Sequence, residues 1–313
     1  MHDRHSCVDV AVIAPDDPVD ATLPARIAAA LARHPTPTVR VERHSGQEPL
    51  GPGHDLVCVI GSDAGAAIDG AELAADARRL GIPIVGIDPN VVPGLEPTDC
   101  AVAVATSAFA ATRLLAWGTP PQRCRHWQPG IDPEAFGPGH YETRWAPRSS
   151  DGVLTLIIGD HAQPGRWEDA LAAALAVEPR LELVRLGGDP GLGRAARYAS
   201  ADLLVHLGAS SAYPLAVVEA QASGLAVIAR ADAGACGIIE AGRTGVLIPP
   251  QPAALREALV TLARRPALRE RLALGGLTAV RRRTWADAIG ELIAIWRTVP
   301  GRRDEPAALV SAA

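Results

Sequence analysis

The residues with the clearest chemical potential lie in the stretch SSAYPLAVVEAQASG, which runs from Ser210 to Gly224. Pro214 suits the first turn of a helix, where its missing N–H has no intrahelical acceptor to lose, and Ser211 and Tyr213 are near the cap position. The first amides of such a helix, including that of Leu215, present unpaired N–H groups and the positive end of the helix dipole. The stretch therefore predicts an anion site suited to phosphate.

Glu219 is the carboxylate inside this predicted helix, and its neighbours along the chain are apolar. A carboxylate in such surroundings needs hydrogen-bond donors, and sugar or ribose hydroxyls are natural ones. An exposed helix carboxylate is the alternative interpretation of the same spacing. The residue eight positions earlier, Ser211, is not acidic. The stretch therefore offers a ligand one carboxylate and not two.

Short β-like runs alternate with alanine-rich helical stretches along the chain, which is typical of parallel sheets covered on both faces. The runs are VDVAVIAP, DLVCVIG, IPIVGID and CAVAVAT, then, after a polar stretch, VLTLIIG, LELVRLGG, ADLLVHLG, LAVIAR and GVLIPP. The pattern predicts an α/β protein with a first domain over residues 1–137 and a second over 138–296. Residues 297–313 form a tail, for which a return to the first domain is one option.

Ligands of such sheets bind at the carboxyl ends of the strands, so the loops there are the places to look for chemistry. In the second domain these loops include GDHAQPGR, with Asp160, His161 and Arg166, and the glycine-rich GGDPGLGR, with Gly188. The second could cradle a phosphate or form a plain tight turn. The corresponding polar residues of the first domain are Asp16, Asp17, Ser62, Asp63, Asp88 and Asn90.

Composition narrows the class of protein. The chain has 313 residues, a formal net charge of −5 and no lysine, which excludes lysine nucleophiles and argues against a nucleic-acid partner. No apolar run reaches the roughly 20 residues of a membrane-spanning helix, and we expect a cytoplasmic protein. The basic run Arg281–Arg283 is either a solvated helix end or a peripheral contact with an anionic membrane. Five scattered cysteines suggest neither a disulfide framework nor a zinc site, and we expect no metal.

Residues 201–296 resemble the carboxy-terminal domain of the retaining glycosyltransferases of the group 1 family, which have the GT-B fold. The resemblance is carried by ADLLVHLGASSAYPLAVVEAQASGLAVIARADAGACGIIEAGRTGVLIPP, by the turn QPGIDPEAFGP and by the closing segment TWADAIGELIAIW. It implies two Rossmann-like domains that face each other across a cleft, with the acceptor on the first domain and a nucleotide-sugar donor on the second. In that family no cofactor is needed, and the donor phosphate can take the acceptor proton.

The resemblance also implies roles for particular residues. Glu219 would bind the ribose of the nucleotide, while the partner glutamate of the family's Glu-x7-Glu pair falls on Ser211. The family's G-R-x-x-x-x-K-G phosphate clamp falls on GDHAQPGR, where Gly159 fits, Asp160 replaces the arginine, and Arg166 lies one residue beyond the lysine position. Between LELVRLGG and ADLLVHLG the family has a helix and a further strand, and only DPGLGRAARYAS lies there. The second domain is therefore shortened.

We therefore expect a retaining hexosyltransferase-type enzyme that moves a sugar from a nucleotide-sugar to an acceptor. A GT-B protein without catalytic activity, acting as a binding or partner subunit, is the alternative that the altered clamp leaves open, and a partner enzyme or a homodimer goes with it. A third alternative keeps the fold and changes the reaction, for example to a nucleotide-sugar epimerase.

Overall fold

The chain folds into two compact units in the computed structural model, which describes residues 7–14, 23–36, 39–44, 49–61, 68–140, 152–158, 165–186, 193–208 and 212–300. Unit 1 comprises residues 1–129 and 285–313, and unit 2 comprises residues 130–284. Each unit is built on its own parallel sheet. The expected α/β class with two Rossmann-like domains is confirmed.

Unit 1 contains a six-stranded parallel sheet with helices on both faces. Its first elements are β1 (Val8–Ile13), α1 (Leu23–Arg33), β2 (Val39–His44), β3 (Leu56–Ile60), α2 (Gly70–Leu80), β4 (Ile84–Ile87), β5 (Cys100–Ala105), α3 (Ala108–Trp117) and β6 (Cys124–His126). The strand order is β2-β1-β3-β4-β5-β6, which leaves β2 at one edge of the sheet.

The alternation of side chains along β1 shows why both faces of this sheet are covered. Val10 and Val12 pack with α1 in one apolar cluster, whereas Ala11 and Ile13 pack with α2 in another. Successive side chains of a strand point to opposite faces, so an unbroken apolar run such as VAVI fits only a strand that is buried on both sides.

Unit 2 contains a five-stranded parallel sheet. Its elements are β7 (Val153–Ile158), α4 (Glu168–Val177), β8 (Leu181–Arg185), α5 (Arg194–Ala199), β9 (Leu203–His206), α6 (Leu215–Ala222), β10 (Ala226–Arg230), β11 (Val246–Ile248), α7 (Pro252–Arg264) and α8 (Pro266–Val280). The strand order is β11-β10-β9-β7-β8. Between β8 and β9 the described residues hold one short helix, α5, and no further strand.

The last helix, α9 (Trp285–Arg297), belongs to unit 1 and not to the second domain, where the sequence had placed residues up to 296. Its buried face carries Trp285, Ala288, Ile289, Leu292, Ile293 and Trp296, which join the cluster around α1. The indole Nε1 of Trp127 donates a hydrogen bond to the carbonyl of Ala288 at 2.7 Å. The chain thus returns to unit 1 at residue 285, because the strongly apolar face of α9 is buried there.

Residues 130–137, which the sequence had placed in the first domain, belong to unit 2. The rings of Phe136 and Tyr198 lie 6.3 Å apart, and Pro138 lies against Gly224. Gly224 follows α6 with φ of 85°, a left-handed conformation that favours glycine and closes a helix end. A Cβ there would come within 3.2 Å of Pro138, so the glycine also permits the close approach.

Two further features concern the whole described chain. None of its helices combines the length and the hydrophobicity that crossing a bilayer would require. All five cysteines lie among the described residues, and each is a free thiol.

We predict that Trp296→Ala destabilises the protein by about 3–5 kcal/mol, because it removes a large side chain that is 1% exposed. Urea unfolding followed by circular dichroism measures the change. The control is Leu274→Ala, at a side chain that is 65% exposed, which should change the free energy of unfolding by less than about 0.5 kcal/mol. An equal and small effect of both substitutions would contradict the assignment of α9 to the core of unit 1.

Glu178 should make the stability of the protein depend on pH, because its ionised carboxylate joins the end of α4 to α7. Its two carboxylate oxygens accept hydrogen bonds from the Nε atoms of Arg180, at 2.8 Å, and Arg264, at 2.9 Å. These bonds, that from Arg180 first, lower the pKa of Glu178 from 4.5 to about 2.

A carboxyl with a lowered pKa stabilises the fold above its unfolded-state pKa and loses that contribution as the pH falls toward the folded-state value. Wild type should therefore lose stability more steeply than Glu178→Gln between pH 4.5 and about 2. Urea unfolding at several pH values measures this, with Glu257→Gln on the exposed face of α7 as the control. Parallel curves for wild type and Glu178→Gln would contradict the prediction.

Candidate functional site

The candidate site lies at the carboxyl edge of the sheet of unit 2. Strand β7 is flanked by β8 on one side and β9 on the other, so the chain reverses its direction across the sheet at β7. In open parallel sheets, ligands bind beyond the carboxyl ends of the strands at such a reversal. Ile158 of β7 and His206 of β9 are paired at this point.

Two arginines meet beside one tryptophan at this edge. Arg166 follows β7, and its guanidinium lies 5.2 Å from the ring centroid of Trp167 and donates a hydrogen bond to the carbonyl of Pro250. Arg230, the last residue of β10, lies 5.8 Å from the same ring. Asp232 completes the group, which we call the arginine cluster: Arg166, Trp167, Arg230 and Asp232.

The arginine cluster carries a net positive charge. Arg230 is buried and donates from Nε and Nη2 to the two carboxylate oxygens of Asp232, at 2.8 and 2.6 Å. Its Nη1 donates to the carbonyl of Leu207 at 3.2 Å. The hydrogen bonds from Arg230, with a smaller contribution from Arg166, lower the pKa of Asp232. With that carboxyl ionised, two arginines and one aspartate leave a net charge of +1.

Glu219 is buried inside α6 and faces an arginine. Its side chain is 2% exposed, and its Oε2 accepts a hydrogen bond at 3.1 Å from Nη1 of Arg194, which is 28% exposed. Arg194 is the first residue of α5, so the two short helices place a cation beside the carboxylate. Of the two interpretations of Glu219, the exposed helix carboxylate is therefore wrong.

The helix after β9 begins one residue later than expected. Pro214 is the N-cap of α6 and precedes its first turn, and no described side chain caps the helix. The side chains of Tyr213 and Leu215 are buried, and burial raises the pKa of the Tyr213 phenol while nearby Arg283 opposes the shift.

Several residues predicted from sequence lie outside the described residues. They are Ser211, Gly159, Asp160, His161 and Gly188 of the second domain, and Asp16, Asp17, Ser62 and Asp63 of the first. The site that the structure describes consists of the arginine cluster, Arg194, Glu219 and the start of α6.

Arg230 lies in the candidate site but was not predicted from the sequence. Its signal was an arginine that directly ends the apolar run LAVIA, which places a charge at the carboxyl edge of a buried strand. The pairing of Arg194 with Glu219 was also missed, because it depends on how α5 packs against α6.

In unit 1 the described strand ends bring together Asp88 and Thr106. Asp88 follows β4 with φ of 45°, and its buried carboxylate accepts hydrogen bonds from the backbone N and the hydroxyl of Thr106. Left-handed backbone at a non-glycine residue often marks a functional position. Here the two hydrogen bonds join the loops after β4 and β5.

Comparison with known proteins points to one family. The family model for glycosyl transferases group 1 matches residues 144–265. The GDP-mannose-dependent alpha-mannosyltransferase of Mycobacterium tuberculosis is 29% identical in an alignment that covers 74% of this chain and 71% of that protein. The enzyme of the same name from Mycolicibacterium smegmatis is 29% identical over 98% of this chain and 93% of its own.

A solved structure supports the fold. Anabaena HepE, crystallised with UDP and glucose, superposes with a TM-score of 0.70 and covers 93% of this chain and 100% of its own. Its sequence is 14% identical, so the likeness concerns the fold alone. Structures of this kind have the GT-B fold, and the expected fold class is confirmed.

We predict that Arg194 and Glu219 are energetically coupled. Arg194→Ala should destabilise the wild type by about 1.5–3 kcal/mol, because it removes the cation that faces a buried carboxylate. In a Glu219→Gln background the same substitution should cost less than about 0.5 kcal/mol. Urea unfolding of the four proteins measures the coupling, with Arg256→Ala on the exposed face of α7 as the control. Equal costs in both backgrounds would show that the pair is not coupled.

Proposed function

We propose that this chain, which belongs to the group 1 family of glycosyltransferases with the GT-B fold, transfers mannose from GDP-mannose with retention of the anomeric configuration. As a member of that family it is a hexosyltransferase-type enzyme. The single observation that carries the proposal is the buried carboxylate of Glu219 in the helix after β9, at the position that the family uses for ribose. The mannose donor is taken from the mycobacterial relatives, which are named for GDP-mannose.

The arginine cluster supports binding of the diphosphate. The family's arginine and lysine clamps are absent from GDHAQPGR, and losing both would cost about 3–6 kcal/mol if each charge-assisted hydrogen bond contributes roughly 1.5–3 kcal/mol. Arg166 and Arg230 come from the loop after β7 and the end of β10 and bring a net positive charge to the same edge. Cations there would stabilise the negative charge that builds up on the leaving diphosphate.

The Arg194–Glu219 pair supports an exchange of partners on binding. We infer that a ribose that donates its hydroxyls to Glu219 takes the place of Arg194, whose Nη1 donates to the carboxylate at 3.1 Å. Arg194 is partly exposed and sits at the start of α5, so its guanidinium can turn toward the added phosphates. The carboxylate of Glu219 then receives hydrogen bonds from the ribose, and Arg194 joins Arg166 and Arg230 as a third arginine beside the diphosphate.

The start of α6 completes the proposed donor site. Its first amides, at Leu215 and Ala216, have no acceptor within the helix and lie at the positive end of the helix dipole. A helix terminus contributes at most about 2 kcal/mol to anion binding, so it assists the arginines without replacing them. No protein base is assigned, since in this family the donor phosphate can take the acceptor proton.

The test is a calorimetric titration of GDP, UDP, ADP and TDP into wild type and Glu219→Ala. We expect GDP to bind most tightly and Glu219→Ala to weaken it by about 10–150-fold, the equivalent of one lost charge-assisted hydrogen bond. Arg166→Ala should weaken the binding of GDP and leave the binding of guanosine unchanged, because a guanidinium near the phosphates has no contact with the nucleoside.

The matched controls are Glu257→Ala and Arg256→Ala on the exposed face of α7, which should leave GDP binding unchanged. Release of GDP from GDP-mannose with a broad acceptor panel then reports the transfer. Absence of binding by all four nucleotides would contradict the proposal and favour a GT-B subunit without activity. Tight binding of UDP in place of GDP would contradict the proposed donor alone.

A further inference from the structure

Three side chains with metal-binding atoms converge on the edge of unit 1, outside the proposed donor site. Glu42 and His44 lie on β2 two residues apart, which puts them on the same face of the strand. His54 comes from the turn before β3. One ligand atom of each lies within 4.8 Å of the others, and we call these three residues the histidine cluster: Glu42, His44 and His54.

The distances inside the histidine cluster fit ligands around one ion. Nε2 of His54 lies 3.1 Å from Oε2 of Glu42, and Nε2 of His44 lies 3.9 Å from Oε1 of the same carboxylate. In a tetrahedral zinc site with bonds of roughly 2.0–2.1 Å, neighbouring ligand atoms are about 3.3 Å apart. The two observed separations lie on either side of that value, and the ligand atoms of the two histidines lie within 4.8 Å of each other, so binding of an ion would draw the imidazoles together.

Hydrogen bonds among the three side chains do not satisfy all of their buried nitrogen atoms. The side chains of His44 and His54 are 12% and 9% exposed, and their rings meet edge to face with centroids 5.2 Å apart. Nε2 of His44 and Nδ1 of His54 are buried, and neither has a hydrogen-bond partner among the described residues. A buried polar atom without a partner is costly, and a metal ion would give the His44 nitrogen one.

We propose that Glu42, His44 and His54 form a binding site for a divalent transition metal, zinc in the first instance. Two imidazoles and a carboxylate are a donor set that suits zinc and not calcium or magnesium, which prefer oxygen ligands. Three protein ligands would leave the fourth position of a tetrahedral zinc ion for water.

The site would join two segments that the sheet keeps apart. Strand β1 lies between β2 and β3, so Glu42 and His44 on one side and His54 on the other are not neighbours in the ladder. A bound ion would tie the carboxyl half of edge strand β2 to the start of β3. The ion would therefore stabilise unit 1, because a ligand that binds only the folded state raises its stability.

The test is a calorimetric titration of zinc chloride into the chelator-treated full chain without a purification tag. We expect one ion per chain with a Kd on the order of 1 μM or below, and a rise in the melting temperature on its addition. His44→Ala and His54→Ala should each weaken zinc by about 100-fold or more, since even loss of an outer-shell partner costs about 10–100-fold.

Glu42→Gln keeps the size of the exposed side chain and guards against misfolding of the histidine variants, and it should also weaken zinc. His126→Ala is the matched control, because it removes an exposed imidazole of the same unit and should leave zinc binding unchanged. Binding that is equal in all four variants, or no binding at about 100 μM zinc, would overturn the proposal. GDP binding is unaffected by either result, so the two proposals fail separately.

Discussion

The pairing of the buried carboxylate of Glu219 with Arg194 is the interaction on which the candidate site depends. An ionised group that is 2% exposed requires a charged or strongly donating partner, and Arg194 meets that requirement from the neighbouring helix. The pair links α5 to α6 and fixes both at the carboxyl edge of the sheet of unit 2. In the proposed site the hydroxyl donors of a ligand take the place of the arginine, which gives a role to a carboxylate in an otherwise apolar helix.

The same constraint governs the phosphate side of the proposed site. A buried guanidinium requires a counter-charge, and Asp232 supplies it to Arg230. Trp167 supplies a ring face to both guanidinium groups, which are weakly hydrated and stack well on aromatic rings. The cluster therefore holds positive charge in place, as the proposed stabilisation of a diphosphate leaving group requires.

The alternation of short apolar runs with helical stretches predicted the parallel strands and the helix that contains Glu219. Buried strands and short apolar helices can be recognised in this way because their residues are apolar throughout. The membership of α9 in unit 1 was not predictable, since its apolar face suits any core and only packing chooses among them. Arg230 was visible as a charge after a strand, but its partners Asp232 and Leu207 became clear only in the folded chain. The histidine cluster was not predicted, because its three side chains come from two segments that lack the residue spacing typical of metal sites.

The measurement that tests the central claim most directly is a crystal structure of the protein with GDP. We predict that the ribose hydroxyls lie within hydrogen-bonding distance of Glu219, that Arg194 has turned away from the carboxylate, and that the diphosphate lies between the start of α6 and Arg166. A nucleotide bound elsewhere, or bound at this edge with the Arg194–Glu219 hydrogen bond intact, would contradict it.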